Sequence, residues 1–224
     1  MMKIITYMKA TLLVLFFSSS VSHAAVVMNA SRVIMEGTTE KTITFDNTSD
    51  VPFIVQIESD NAGDPDFIAM PPVFKIKEKG GQTVKIKLLS SVLPKDKESI
   101  FYLSFTQIPG FKKSENDDSR LNLIVRSRLK IIYRPESVNA FSVRDEDKVS
   151  YRIENGKLIV CNQSPNVLSI RDISNGKHVI AGNLTLKPGE VISTVIKENH
   201  LSGPLKASMI NDFGTPVNFL LTNK

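Results

Sequence analysis

The chain has 224 residues, a formal net charge of +5, one cysteine and no tryptophan. This length is too great for one ordinary β-sandwich and suits two domains of roughly 100 residues each. The single cysteine excludes an intrachain disulfide, and the modest charge, which lacks a basic run or an aromatic platform, predicts no nucleic-acid partner.

The first 24 residues have the three-part pattern of a secretory signal peptide. Lys3 and Lys9 precede the apolar stretch Ala10 to Phe17, and residues 22–24 (Ser-His-Ala) offer small side chains where a signal peptidase cleaves. The apolar stretch is too short to span a bilayer, and no later stretch would do so. We therefore predict export, cleavage after residue 24 and no membrane insertion. Loss of the two lysines lowers the charge from +5 by two, to +3.

The next hundred residues have the composition of a β-protein. Short segments rich in Val, Ile, Thr and Phe alternate with turn signals, which favours a β-sandwich over helices. Val84 to Leu88 alternates apolar and charged side chains, as a half-buried strand does. The predicted strands are Val26 to Met35, Lys41 to Phe45, Val51 to Ile57, Thr83 to Leu88 and Ser99 to Thr106.

The segment Arg120 to Arg134 differs from these strands because it contains no Gly or Pro and is much longer than a typical strand. Side chains at period two share a face of a strand, so the segment has an apolar row and a cationic row. The apolar row consists of Leu121, Leu123 and Val125, and the cationic row of Arg126, Arg128, Lys130 and Arg134.

This pattern has two interpretations. In the first, the apolar row fills the core of its own sandwich and the cations are solvated. In the second, the strand is a sheet edge that lends its apolar row to another chain, while the cations hold a carboxylate. Pattern alone leaves both open.

A second β-rich block runs from Asn139 to the C terminus. Asn155-Gly156 and Asn175-Gly176 are hairpin turn signals within it. We place the boundary between domains of residues 25–136 and 137–224. The predicted strands of this block are Lys157 to Cys161, Val167 to Ile173, Val191 to Ile196 and Val217 to Leu221.

No motif indicates catalysis, a metal site or a cofactor. The sequence has no H-x-x-x-H, no clustered cysteines, no Walker loop and no G-x-S-x-G. The acidic clusters Asp117-Asp118 and residues 145–147 lie in polar stretches typical of solvated loops. We therefore predict that the protein is not an enzyme and binds no cofactor or metal.

Several ordered motifs resemble the periplasmic chaperones of the chaperone–usher pilus pathway. The most specific is residues 130–135 (Lys-Ile-Ile-Tyr-Arg-Pro), which is similar to the signature ending the family's first domain. The resemblance implies an all-β fold of two immunoglobulin-like β-sandwich domains in a boomerang arrangement, with a cleft between them. Further landmarks are Ser31-Arg32-Val33, Met70-Pro71-Pro72, Ser99 to Pro109 and Asn211-Asp212-Phe213-Gly214.

The resemblance also implies three sets of functional residues. Two basic residues of the family's cleft anchor the C-terminal carboxylate of a pilus subunit, and a donor strand completes the subunit's incomplete fold. An Arg–Glu–Asp cluster holds the two domains at a fixed angle. The matching residues are Arg32 and Lys130 for the anchor, Leu121, Leu123 and Val125 for the donor strand, and Glu98, Arg134 and Asp212 for the cluster.

The implied function is a periplasmic chaperone that binds, folds and caps fimbrial subunits by donor-strand complementation and delivers them to an outer-membrane usher. Its exposed strand could also pair with a second copy of the free chaperone. The short stretch Ile108 to Arg120 resembles the short-loop subclass of the family. The alternatives are a structural pilus subunit or secreted adhesin and, more remotely, an enzyme on the same scaffold.

Overall fold

The computed structural model describes residues 25–60, 66–89, 93–110, 123–196 and 203–224. These ranges contain seventeen strands and one short 3-10 helix. Within them, no helix is long and apolar enough to cross a membrane. The predicted signal peptide lies outside the described residues.

The first nine strands form two sheets that face each other across one core. The sheet orders are β1-β3-β7-β5 and β2-β9-β8-β4-β6. Phe45, fully buried at the centre, packs its ring against Phe74 and Phe105. The strands are β1 Val26–Met28, β2 Arg32–Glu36, β3 Glu40–Asn47, β4 Phe53–Ser59, β5 Phe67–Met70, β6 Val73–Ile76, β7 Gly81–Leu88, β8 Ser99–Pro109 and β9 Val125–Arg134.

The remaining elements form a second two-sheet sandwich with its own buried apolar cluster, which includes Leu158, Ile173 and Leu186. Its sheet orders are β14-β11-β10-β17 and β13-β12-β15-β16. The elements are a 3-10 helix Val143–Lys148 and the strands β10 Val149–Glu154, β11 Lys157–Asn162, β12 Leu168–Asn175, β13 His178–Leu186, β14 Val191–Val195, β15 Lys206–Ile210, β16 Pro216–Leu220 and β17 Thr222–Asn223.

The chain passes from the first sandwich to the second through residues 135–142, which lie between β9 and the 3-10 helix. Within the described ranges, every strand pairs with strands of its own sandwich. The boundary that we placed between residues 136 and 137 falls in this connection and stays a prediction.

One predicted strand, Val26 to Met35, is wrong as a single element. The chain pairs with β3 as far as Met28, crosses over, and joins the other sheet beside β9 from Arg32 onwards. Because β2 begins only at Arg32, it pairs with Lys130–Arg134 of β9 and does not cover the earlier residues of that strand. This crossover shapes the site described below.

Candidate functional site

Strand β9 is a sheet edge along only half of its length. It pairs with β8 throughout, from Val125 to Tyr133, whereas β2 pairs only with Lys130–Arg134. Among the described strands, none lies beside Val125–Leu129 on that side. Within the described part of the predicted segment, Val125–Leu129 form an open edge, whereas β2 covers Lys130–Arg134.

The apolar row projects beyond the end of the first core. Leu123 is 63 % exposed and Val125 is 42 % exposed, whereas Leu129 and Ile131 on the same face pack in the core. Leu121 lies outside the described residues. The interpretation in which this row fills its own sandwich is therefore wrong for Leu123 and Val125. The strand itself begins at Val125 rather than earlier.

Arg32 and Lys130 lie side by side because β2 and β9 run parallel with these two residues in register. Both side chains are half-buried and both reach the second sandwich. Lys130 Nζ donates a hydrogen bond to Ser169 Oγ at 2.9 Å, and Arg32 Nη1 donates to the carbonyl oxygen of Ile210 at 2.9 Å. The pair thus lies in the cleft between the two sandwiches.

Neither cation of this pair forms a salt bridge with a carboxylate of the described residues; Asp212 acts on Arg32 only at longer range. Arg32 Nε is also buried there without a hydrogen-bond partner. Burial, together with the positive charges of Arg32 and Arg128, lowers the pKa of Lys130, and burial lowers the pKa of Arg32 against the opposing effect of Asp212. An anion in the cleft would relieve both the desolvation and the repulsion.

Arg134, four residues further along β9, is in the opposite situation. Its buried guanidinium donates from Nε to Glu98 Oε1 at 2.5 Å, from Nη1 and Nη2 to the Asp212 carboxylate at 2.8 and 3.1 Å, and from Nη1 to Glu36 Oε1 at 2.8 Å. Burial disfavours its charge, but the hydrogen bonds of Asp212 and Glu98 outweigh this effect and raise the pKa of Arg134.

The buried carboxylate of Glu98 extends this cluster into the second sandwich. The Oε2 atom of Glu98 accepts a hydrogen bond from the backbone N–H of Val167 at 2.6 Å. The backbone N–H of Glu98 donates to the carbonyl oxygen of Pro165 at 2.8 Å. Asp212 lies in the turn after β15. Glu98, Arg134 and Asp212, which the family resemblance assigned to one cluster, therefore lie in contact between the two sandwiches.

Sequence reasoning missed three members of the site. Glu36 lies directly opposite Arg134 in the parallel register, Ser169 accepts from Lys130, and the Ile210 carbonyl accepts from Arg32. Only the pairing of β2 with β9 identifies Glu36, and a serine or a backbone carbonyl carries no sequence signal. In the described parts of the chain, no group of three or more His, Cys, Asp or Glu side chains could hold a metal ion.

The fold and the site define a two-domain β-sandwich protein with a basic cleft beside a half-open sheet edge. The family model for the pili and flagellar-assembly chaperone, PapD N-terminal domain, matches residues 25–139. The chain therefore belongs to the pilus-assembly chaperone family, and the resemblance read from its motifs is confirmed.

Individual relatives extend the match over both sandwiches. Chaperone protein MrkB of Klebsiella pneumoniae is 30 % identical over 225 residues, which cover 93 % of this chain and 96 % of that protein. The structure of the Salmonella enterica SafA pilin in complex with the SafB chaperone matches with a TM-score of 0.78 and 22 % identity, covering 91 % of this chain and 98 % of that one.

A third match is the crystal structure of the periplasmic chaperone SfaE, with a TM-score of 0.71 and 25 % identity over 89 % of this chain and all of that chain. These structural likenesses identify the two sandwiches as immunoglobulin-like domains, which confirms the predicted fold class.

Proposed function

We propose that this protein is a periplasmic chaperone that binds, folds and caps fimbrial subunits by donor-strand complementation and then delivers them to an outer-membrane usher. The observation that carries the proposal is the Arg32–Lys130 pair, two cations that form no salt bridge with a described carboxylate and lie next to an open strand edge. The chaperone acts by binding alone, without catalysis or a cofactor.

The cation pair is suited to the C-terminal carboxylate of a subunit. A guanidinium can donate two parallel hydrogen bonds to a carboxylate, and the Lys130 ammonium adds a compact charge beside it. The unpartnered Nε of Arg32 offers one such donor. A carboxylate buried without these partners would be strongly disfavoured by its loss of hydration. The pair therefore anchors the end of the bound chain.

The donor strand then fixes how the subunit lies. Leu123 and Val125 are exposed at the open edge, where they can enter the apolar groove of an incomplete subunit. Each buried side chain contributes about 1.5–3 kcal/mol before the costs of association. A slip of one residue would turn the apolar row away from the groove, so the anchor also sets the register. We assign Leu121 the same role.

Arg134, Glu98 and Asp212 hold the two domains at a fixed angle in this proposal. Their hydrogen bonds cross the cleft and are almost fully buried at Arg134 and Glu98. A rigid cleft keeps Arg32 and Lys130 beside the second domain. The cluster therefore supports the anchor without touching the subunit.

The location and the partners follow from the sequence and the relatives. The signal-peptide pattern of residues 1–24 supports export, and relatives include a periplasmic chaperone and a chaperone bound to a pilin. In the free protein, the open edge of β9 could pair with a second copy. A structural subunit or adhesin is not favoured, because MrkB, a chaperone, matches over nine-tenths of both chains.

The test is periplasmic co-expression with a fimbrial subunit encoded beside this gene. We expect a one-to-one complex for the wild-type chaperone and loss of subunit accumulation with Arg32→Ala or Lys130→Ala. Lys157→Ala, an exposed lysine on β11 of the second domain, is the matched control and should behave as wild type. Equal accumulation with all four chaperones would refute the anchor.

A further inference from the structure

The most exposed large apolar side chain among the described residues is Phe213, at 91 %. It lies in the turn between β15 and β16, one residue after Asp212 of the Arg134 cluster. A single exposed leucine or valine on a surface is ordinary, whereas an exposed phenylalanine is a candidate contact residue because aromatic side chains are enriched at interfaces.

The turn that carries Phe213 is held by its own hydrogen bonds. The side-chain oxygen of Asn211 accepts from the backbone N–H groups of Phe213 at 3.0 Å and of Thr215 at 2.9 Å. Gly214 adopts a left-handed φ of 81°, which permits the tight reversal. Phe213 is thus presented in one conformation of the backbone, at little further entropic cost on binding.

The first domain fixes the same turn from the other side. Arg32 donates to the carbonyl of Ile210 and Arg134 donates to Asp212, so both residues flanking Asn211 are tied to β2 and β9. At Gly214, a Cβ atom would lie only 2.8 Å from Ser31 Oγ. The turn therefore sits directly against the residue that precedes Arg32 at the start of β2.

This position brings Phe213 to the place where a bound strand would end. The space beside Val125–Leu129 lies in line with β2, and a chain whose terminal carboxylate meets Arg32 and Lys130 fills that space as far as β2. Phe213 and Arg32 line a common groove of about 870 Å³ with Ala30 and Ile34, and this groove runs on along β2 and β3. The groove therefore joins Phe213 to Arg32, one of the two anchor cations, whereas Lys130 does not line it.

We propose that Phe213 packs over the terminal residue of the bound subunit and covers the ion pair between its carboxylate and the Arg32–Lys130 pair. The inference rests on the proposed function, since the occupant is the subunit's C terminus. Ion pairs are stronger and less screened by salt when water is excluded from them. Phe213 is thus a positioning residue that strengthens the anchor without carrying charge.

The experiment measures the affinity of the full-length mature chaperone for one synthetic peptide, the last twelve residues of the co-expressed subunit, as the free acid and as the C-terminal amide. In wild type the acid should bind more tightly than the amide. Phe213→Ala should weaken binding of the acid peptide at least about fivefold, as truncation of a central aromatic contact does. It should also reduce the ratio of the affinity for the acid to the affinity for the amide. Its affinity should also fall more steeply with added salt.

Two control variants make the result specific. Phe213→Tyr keeps the ring and should behave as wild type, as should Val195→Ala, which shortens an apolar side chain on β14 that is 67 % exposed. An unchanged acid-to-amide ratio in Phe213→Ala would overturn this inference alone. Equal binding of acid and amide to wild type, or no binding of either, would overturn the anchor and the inference together.

Discussion

Two cationic sites four residues apart on β9 differ in how their charges are satisfied. Arg134 is buried and donates four hydrogen bonds to three carboxylates. Lys130 and its neighbour Arg32 are half-buried and donate to a serine hydroxyl and a backbone carbonyl, with no carboxylate partner among the described residues. The same strand thus carries one completed cluster and one incomplete one.

This difference indicates that the Arg134 cluster stabilises the fold, whereas the Arg32–Lys130 pair binds a ligand. A buried charge that is fully paired adds little that a ligand could use, but its loss leaves its partners uncompensated. A partly desolvated charge without a counter-ion is costly alone and gains from an anion. We therefore expect substitutions at Arg134 to act on folding and substitutions at Arg32 or Lys130 to act on subunit binding.

The largest effect is expected from Arg134→Ala. It would leave the Glu98 carboxylate, whose side chain is only 1 % exposed, without its cation. Removing one partner of a buried ion pair costs about 3–5 kcal/mol. Urea unfolding should show this loss of stability. The double variant Arg134→Ala/Glu98→Gln should recover part of it, because the buried carboxylate is then removed. Unfolding at the wild-type urea concentration would contradict the structural role of the cluster.

A smaller effect, on binding alone, is expected from Leu123→Glu. The side chain is 63 % exposed, so a carboxylate there should leave the unfolding free energy within about 0.5 kcal/mol of wild type. In the complex it would place a charge in an apolar groove and forfeit about 1.5–3 kcal/mol of burial. Ile124→Glu, on the other face and 61 % exposed, is the matched control. Equal subunit retention by both variants would reject the donor strand.

The smallest of the three main effects, a change in the free energy of unfolding, is expected from Lys130→Met. This change removes one hydrogen bond to Ser169, worth about 0.5–1.5 kcal/mol, but also relieves the repulsion from Arg32 and the desolvation of the ammonium. The net change in unfolding free energy should stay below about 1 kcal/mol. If Lys130→Met lowered the free energy of unfolding as much as Arg134→Ala does, the distinction between the two sites would be wrong.

Much of the fold could be predicted from the sequence because the first sandwich has long runs of β-branched and aromatic residues. The Asn155-Gly156 hairpin was also predicted correctly, and both residues have positive φ. The short strands β5 and β6, which lie in different sheets, were missed because each has only four residues and Pro71-Pro72 separates them. The strand β13 was missed because Ala-Gly-Asn at residues 181–183 has weak strand propensity.

The site was less predictable, because its geometry depends on pairing between distant strands. Nothing in the sequence around Arg32 shows that the chain changes sheets just before it, so neither the half-open edge nor the contact with Glu36 could be foreseen. The assignment of Arg32, Lys130 and the Arg134 cluster came from the family motifs. Residue patterns alone gave only an apolar row and a cationic row.

The most direct test of the distinction between the two sites is the pKa of the Lys130 side-chain amine, measured by nuclear magnetic resonance of labelled lysine in the free chaperone and in its subunit complex. In the free protein, burial and the positive charges of Arg32 and Arg128 should hold this pKa below its ordinary value of 10.5. A carboxylate bound beside the ammonium favours the protonated form, so the pKa should rise on complex formation. A pKa that stays the same or falls in the complex would contradict the account.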